Sequence, residues 1–202
     1  MKNNELIYQK NYIPLTRLEL IDRVSKSVDE KRFHHILRVE KKAIELAQRF
    51  DGNVEKASIA ALLHDYAKQR SDAEFISYIK KYHLDQNLLN YGNAIWHGVV
   101  GAEIIKQELH IYDEEILNAV RRHTVGAPYM TKIDQITFMA DYIEDGRDFD
   151  LVKEARKVTE KSLVAGVKFQ MKHTLLYLIE NNKEVYPATV VNYNAWVNKE
   201  EG

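Results

Sequence analysis

An all-α fold is what this chain of 202 residues predicts, and three observations predict it. Only 8 glycines and 3 prolines occur, too few to punctuate the many turns of an all-β fold. Apolar residues recur at helical spacing along most of the chain. Cap signals stand in front of several of these runs. The length suits one domain, and no linker, repeat or low-complexity run divides residues 1–202.

The elements follow in order. Leu15 to Val28 reads as an amphipathic helix with Leu15, Leu18, Ile21, Val24 and Val28 on its apolar stripe. The run RFHHILRVEKKAIELAQRF, from Arg32, is a second, with Ile36, Val39, Ile44, Leu46 and Ala47 facing inward. Asp51-Gly52 stops it, glycine being the residue expected to take the left-handed conformation. Asn53 caps a third helix, VEKASIAALLHDYAK, whose Ala57, Ala60 and Ala61 allow close packing. Ser71 to Glu74 is a capping box opening a fourth helix through Tyr82. A fifth runs from Asn93 to Glu108, and Asp113 caps a sixth, EEILNAVRRHT. VGAPYM is the clearest loop, because Gly126 and Pro128 fall together. Thr131 and Asp134 form a capping box for KIDQITFMADYIE, and DGRDF then turns the chain. Two further helices span about 151–163 and 167–181, and the tail EVYPATVVNYNAW reads as packed.

Composition narrows the class of function. Lys and Arg total 29 against 30 Asp and Glu, so no global basic field points to nucleic acid. No cysteine occurs, which excludes disulfides and thiolate-held zinc and suits a reducing compartment. No stretch reaches the roughly 18–20 apolar residues of a membrane span. The amino-terminal residues lack the apolar core of a secretion signal. The expectation is a cytoplasmic protein without a membrane partner.

The chemistry concentrates in five places: His35 in RFHHILRV, His64-Asp65 in ALLHDYAK, His97 in IWHG, His123 in RRHT and Asp141 in FMADYIE. Each lies in or beside an apolar run, where an ionised group is costly unless paired or bound to a metal. Imidazole nitrogen and carboxylate oxygen together suit Fe, Mn, Zn, Ni or Co. His64 and Asp65 point about 100° apart on a helix, so both reach one ion only at a cavity edge. A carboxylate has two oxygens, so Asp65 is also able to bridge two ions. His35 and Asp141, from other helices, complete the first site. No two of these segments share a predicted helix, so spacing alone does not select the set. His34, His83, His110 and His173 read as solvated or capping histidines.

The order H…HD…H…H…D, on His35, His64, Asp65, His97, His123 and Asp141, resembles the HD-domain metal-dependent phosphohydrolases. The segments RFHHILRV, ALLHDYAK, WHGVVGAEI, ILNAVRRHTVGAPYMTKIDQITFMADYIEDGRDF and VYPATVVNYNAW look like the YqeK family within it. The resemblance runs from about Arg32 to Trp196. It implies an HD-domain helical bundle with a metal site in its core, at about residues 30–165, an N-terminal helix and a C-terminal substrate-contacting tail. It also implies a symmetrical bis(5′-nucleosyl)-tetraphosphatase, taking a dinucleoside polyphosphate such as diadenosine tetraphosphate to ADP. The implied cofactor is iron, with Mn or Co as substitutes, as one ion or two. His35, His64, Asp65 and Asp141 would hold the catalytic ion. His97 and His123 would bind a second ion with Asp65 or contact phosphates, and Asp65, Lys68, His97 and His123 form the catalytic set. Tyr66 stands where an aliphatic residue often follows the HD pair, which alters packing without removing a ligand.

Cleaving a phosphoanhydride needs an activated water, positive groups on the non-bridging oxygens, and alignment. Lys68, placed one helical turn beyond His64, and Arg147 in DGRDF are the phosphate-facing candidates, with Arg32 and Thr124 as weaker additions. The alternative for Arg147 is an ion pair with Asp145 or Asp148. Val185, Tyr186, Pro187, Ala188 and Thr189, held extended by the proline, are the candidates for base and ribose; a tail simply packed on the bundle is the alternative. Ile111-Tyr112 read as exposed residues that permit a homodimer. Two other functions stay open on sequence: an HD-domain nucleotidase or phosphatase acting on another nucleotide, and a non-catalytic nucleotide-binding regulator.

Overall fold

The computed structural model describes residues 6–9 and 12–200, so residues 1–5, 10, 11, 201 and 202 of the expected 1–202 domain lie outside the described residues. Among the described residues every regular element is helical: α1 (Arg17–Ser25), α2 (Glu30–Arg49), α3 (Val54–Leu63), α4 (Asp72–Lys81), α5 (Asn93–Val99), α6 (Gly101–Leu109), α7 (Glu114–Arg122), α8 (Lys132–Ile143), α9 (Val152–Lys161), α10 (Leu163–Glu180) and α11 (Pro187–Val197), with one 3₁₀ turn at Gln86–Asn90.

α3 is the centre of the packing. Every residue from Ala57 to Leu63 is buried, so the helix has no solvent face. It packs against α1, α2, α7 and α8, and α10 covers α8 with α9 and α11 beside it. The alanines let α2 approach closely, and Ile59, Leu62 and Leu63 are fully buried. No helix of the described residues is long and apolar enough to cross a membrane.

The capping boxes at Ser71/Glu74 and Thr131/Asp134 both form, with the side chain of each pair accepting from the other's backbone. A third box forms at Thr16/Glu19 and starts α1 two residues later than the apolar pattern suggests. That start turns the helix so that Leu20 and Val24 are buried while Leu18 is 64% exposed. In α2 it is Ala43, not Ile44, that is buried.

The end of α2 also departs from expectation. Asp51, not Gly52, takes the left-handed conformation, at φ 53°. The Gly52 N–H reaches back 2.8 Å to the Ala47 carbonyl, closing a Schellman-type end. Glycine lets Ile136 pack close there, because a Cβ would come 2.7 Å from Ile136 Cδ1 and shift it.

Four other expectations are corrected. α3 ends at Leu63, and residues 64–69 form successive turns closed by i to i+3 bonds such as Lys68 N–H to the Asp65 carbonyl at 2.9 Å. Lys68 is therefore not placed by a helical turn from His64. The expected fifth helix breaks at Val100, between Gly98 and Gly101, where the backbone closes on the end of α7 and on Ala67. The tail is not extended through its proline. Pro187 is the first residue of α11, a position where its missing N–H costs no hydrogen bond, and Tyr186 before it is extended. Ile111 is fully buried and Tyr112 is 63% exposed, so the two do not form a common exposed patch.

Candidate metal centre

Five chain segments deliver the six ligand candidates to one place. His35 stands on the inner face of α2, His64 caps the C-terminal end of α3 with Asp65 next to it, His97 lies in α5, His123 caps α7 and Asp141 sits near the end of α8. Because α3 is buried all round, the first two residues past its end remain inside the protein. His64 is 0% and Asp65 3% exposed.

The six residues form two triads. His35 Nε2 lies 3.1 Å from Asp141 Oδ1 and 3.4 Å from His64 Nε2. His97 Nε2 lies 3.1 Å from His123 Nε2. Asp65 stands between, one oxygen to each: Oδ2 is 3.3 Å from His64 Nε2 and 3.6 Å from His35 Nε2, whereas Oδ1 is 3.5 Å from His97 Nε2 and 4.0 Å from His123 Nε2. The donor atoms of His35, His64 and Asp141, and separately those of Asp65, His97 and His123, all lie within 4.8 Å of one another.

The other ring nitrogen of each histidine decides what the cluster fits. Nδ1 of His64, His97 and His123 is 2.7, 2.6 and 2.7 Å from the carbonyls of Ala61, Asn93 and Val120. His35 Nδ1 is 3.1 Å from Glu144 Oε1. A carbonyl or carboxylate only accepts, so each Nδ1 carries the proton and each Nε2 offers its lone pair to the centre in the neutral ring. Such second partners orient metal-ligating imidazoles. Nε2 lone pairs and carboxylate oxygens converging in a buried space fit a divalent cation.

Electrostatics follows the same division. Burial opposes charge on His64, but Asp65 and Asp141 outweigh it and hold its pKa above the ordinary histidine value. Burial, with His123 and Lys68 nearby, pushes His97 down to about 3. Burial, with His64 nearby, pushes His123 down to about 4. Burial acts to raise the two carboxyls, yet the histidines overcome it and hold Asp65 and Asp141 well below the usual carboxylate range.

Cations rim the cluster. Arg32 Nη1 donates to Asp65 Oδ2 at 2.9 Å. Arg147 donates from Nη2 to Asp141 Oδ1 at 2.5 Å and from Nε to the Asp141 carbonyl at 2.8 Å, so its partner is neither Asp145 nor Asp148. Lys68 Nζ lies 3.3 Å from both ring nitrogens of His97, and burial lowers its pKa. Thr124 is adjacent to His123, and its hydroxyl is buried with no hydrogen-bond partner. Gly98 makes this approach possible. A Cβ there would come 3.2 Å from Thr124 Oγ1 and 3.3 Å from His123 Cε1.

The segment 185–189 stands apart from the cluster. Among the described residues no hydrogen bond or ion pair joins it to the six ligand candidates. Its Tyr186 ring meets Tyr91 edge-on, with centroids 4.7 Å apart, and Asn192 in the following helix donates to the Val125 carbonyl at 2.8 Å. Val125 is two residues past His123, and Tyr91 is two residues before Asn93, whose carbonyl holds His97. Tyr66 is buried and donates to Glu108 at 2.9 Å, away from the ligands.

Sequence reading missed Glu144, Arg38, Asn93 and Gly98. Glu144 is 1% exposed and accepts from Arg38 Nε at 2.6 Å while holding His35. Asn93 places its carbonyl on His97, and its side chain donates to the Lys68 carbonyl at 2.9 Å. The signal available for Glu144 was its position three residues after Asp141 at the end of an apolar helix.

Comparison with known proteins places the chain in a family. The HD domain family model matches residues 32–146. A protein of Bacillus subtilis (strain 168) called bis(5′-nucleosyl)-tetraphosphatase, symmetrical, is 38% identical over 180 residues, covering 89% of this chain and 97% of that protein. A protein of the same description from Staphylococcus aureus (strain NCTC 8325 / PS 47) is 38% identical over 181 residues, covering 87% of this chain and 93% of that one. The crystal structure of a predicted HD superfamily hydrolase involved in NAD metabolism from Clostridium acetobutylicum superposes with a TM-score of 0.86 at 29% identity, over 92% of this chain and 99% of that one. The chain belongs to the HD-domain family, and within it to the family of the symmetrical bis(5′-nucleosyl)-tetraphosphatases.

Proposed function

We propose that this chain is a metal-dependent hydrolase that converts diadenosine tetraphosphate and one water into two ADP. The observation that carries the reading is the buried cluster in which Asp65 offers one oxygen to each triad of ligands, with Arg32, Lys68 and Arg147 at its rim. The names of the relatives supply the substrate. In this reading His35, His64, Asp65 and Asp141 hold the catalytic ion, iron by resemblance, with Mn or Co as substitutes. His97 and His123 hold a second ion with Asp65 or meet the phosphates themselves. A bound divalent ion supplies Lewis acidity and lowers the pKa of water.

The chain's own groups do the rest. Glu144 and the Ala61, Asn93 and Val120 carbonyls fix the four imidazoles, so the ligands need little reorganisation on binding. Lys68 and the guanidinium forks of Arg32 and Arg147 place positive charge where the phosphate oxygens must lie. The Thr124 hydroxyl is a free donor beside His123. The first turn of α11, with Val185 to Thr189, takes one nucleoside on the His97–His123 side. Attack on the second phosphorus from an adenosine breaks the central P–O–P bridge; the water oxygen stays on one ADP and the bridging oxygen leaves on the other. A cysteine-free chain acting on nucleotides suits the cytoplasm.

The test is product identity. Purified protein supplied with iron, manganese or cobalt is given diadenosine tetraphosphate, and the products are separated by chromatography. ADP alone supports the reading. ATP with AMP contradicts symmetrical cleavage, and no turnover alongside hydrolysis of nucleoside monophosphates supports a nucleotidase instead.

A further inference from the structure

We propose that the cavity between the end of α8, the turn at 144–151 and α10 is the pocket for the second nucleoside of the substrate. The proposal rests on the tetraphosphatase reading and adds to it where the other half of a two-headed molecule is held.

The cavity has a volume of about 910 Å³, and Asp141 and Arg147 form part of its wall. It therefore adjoins the metal centre on the His35–His64 side. On the opposite side, Tyr186 of the segment 185–189 meets Tyr91, and Asn192 of the helix that the segment opens bonds to Val125, two residues past His123. A substrate with four phosphates and two nucleosides, laid across Asp65 from one side to the other, places its second nucleoside in this cavity.

The lining suits a nucleoside. Tyr142 and Phe149 stand with ring centroids 4.9 Å apart, and Tyr177 of α10, 51% exposed, lines the same cavity. Aromatic faces stack on a purine, and a mostly apolar cleft with a few polar groups is the usual form of a small-molecule pocket. Lys183 Nζ holds the Tyr177 hydroxyl at 2.9 Å. The charged groups set the direction. Arg147 is the cation in the wall nearest the cluster, while Asp150 and Glu180 also line the cavity. Carboxylates repel phosphate but accept from ribose hydroxyls and exocyclic amines. The phosphates accordingly enter at Arg147 and the nucleoside lies toward the two acids. The chemical class is a purine nucleoside diphosphate unit, the half that is released as product.

The experiment compares diadenosine tetraphosphate with adenosine 5′-tetraphosphate, which has the same four phosphates but one adenosine. The metal-loaded full chain is used, as wild type, Tyr177→Ala, which removes a half-exposed wall of the cavity, and Thr174→Trp, which projects an indole into it. The expected result is a wild-type preference in kcat/KM for the two-headed substrate that falls about tenfold in each variant, as loss of one base-stacking partner requires. Absence of a wild-type preference, or a preference unmoved in both variants, would overturn the pocket. Failure of the wild type to make ADP from diadenosine tetraphosphate would instead overturn the hydrolase reading itself.

Discussion

The Nε2 atoms of His97 and His123 face each other at 3.1 Å, and each ring has committed its Nδ1 proton to a backbone carbonyl, of Asn93 and Val120 respectively. The two lone pairs cannot satisfy each other. Without a cation these two rings are held neutral, His97 being pushed down to about 3 and His123 to about 4, first by burial. The unfolded chain has ordinary histidines near pH 6.5. Below that pH it binds protons that the folded metal-free protein does not, so stability falls with pH between about 6.5 and 4. Metal-free wild type will therefore lose more melting temperature between pH 7 and pH 5 than metal-free His123→Gln. Equal losses by circular dichroism would show that His123 is not buried neutral.

Asp65 is shared between the triads, so its loss damages both. Asp65→Ala should abolish retention of metal, read by elemental analysis of the purified protein, and with it turnover. A variant that keeps its metal content and activity would remove Asp65 from the centre.

Glu144 acts through His35. Glu144→Gln keeps an acceptor oxygen but removes the charge that Arg38 and His35 share. Loss of such an outer partner weakens metal affinity about 10–100-fold. Competition with a chelator measures this, and an affinity equal to wild type would deny the orienting role.

How much of this was legible in the sequence can be judged from particular residues. The capping boxes at Ser71 and Thr131 were readable because their chemistry is local, two side chains reaching one backbone turn. The six ligand candidates were readable as an ordered set of polar residues in apolar runs. Their division into two groups sharing Asp65 came from the family resemblance and not from spacing, because it depends on which oxygen of Asp65 faces which helix. The end of α3 at Leu63 was hidden for a similar reason. His64 to Lys68 carry no glycine or proline, and the chain leaves the helix there in tight turns. Tyr186-Pro187 was misread because a proline can either break a helix or begin one, and packing against α10 decided. Glu144 had only its place three residues after Asp141 to mark it, because the partners that define its role, His35 and Arg38, lie more than a hundred residues away in sequence.

Gly126 tests the loop that follows His123. It has φ 71°, and a Cβ there would collide with Met171 Cε. Gly126→Ala pays for both the left-handed conformation and the clash, a loss of about 1–3 kcal/mol in stability. Urea unfolding measures it; a midpoint equal to wild type would show that the loop relaxes freely.

If the buried histidines and aspartates form the metal centre, hydrolysis depends on the ion they hold. The most direct measurement of that dependence is ADP formation from diadenosine tetraphosphate by protein stripped with a chelator and then given iron, manganese or cobalt. The stripped protein should form no ADP and recover on adding the ion. Undiminished ADP formation by protein shown to be free of metal would contradict it.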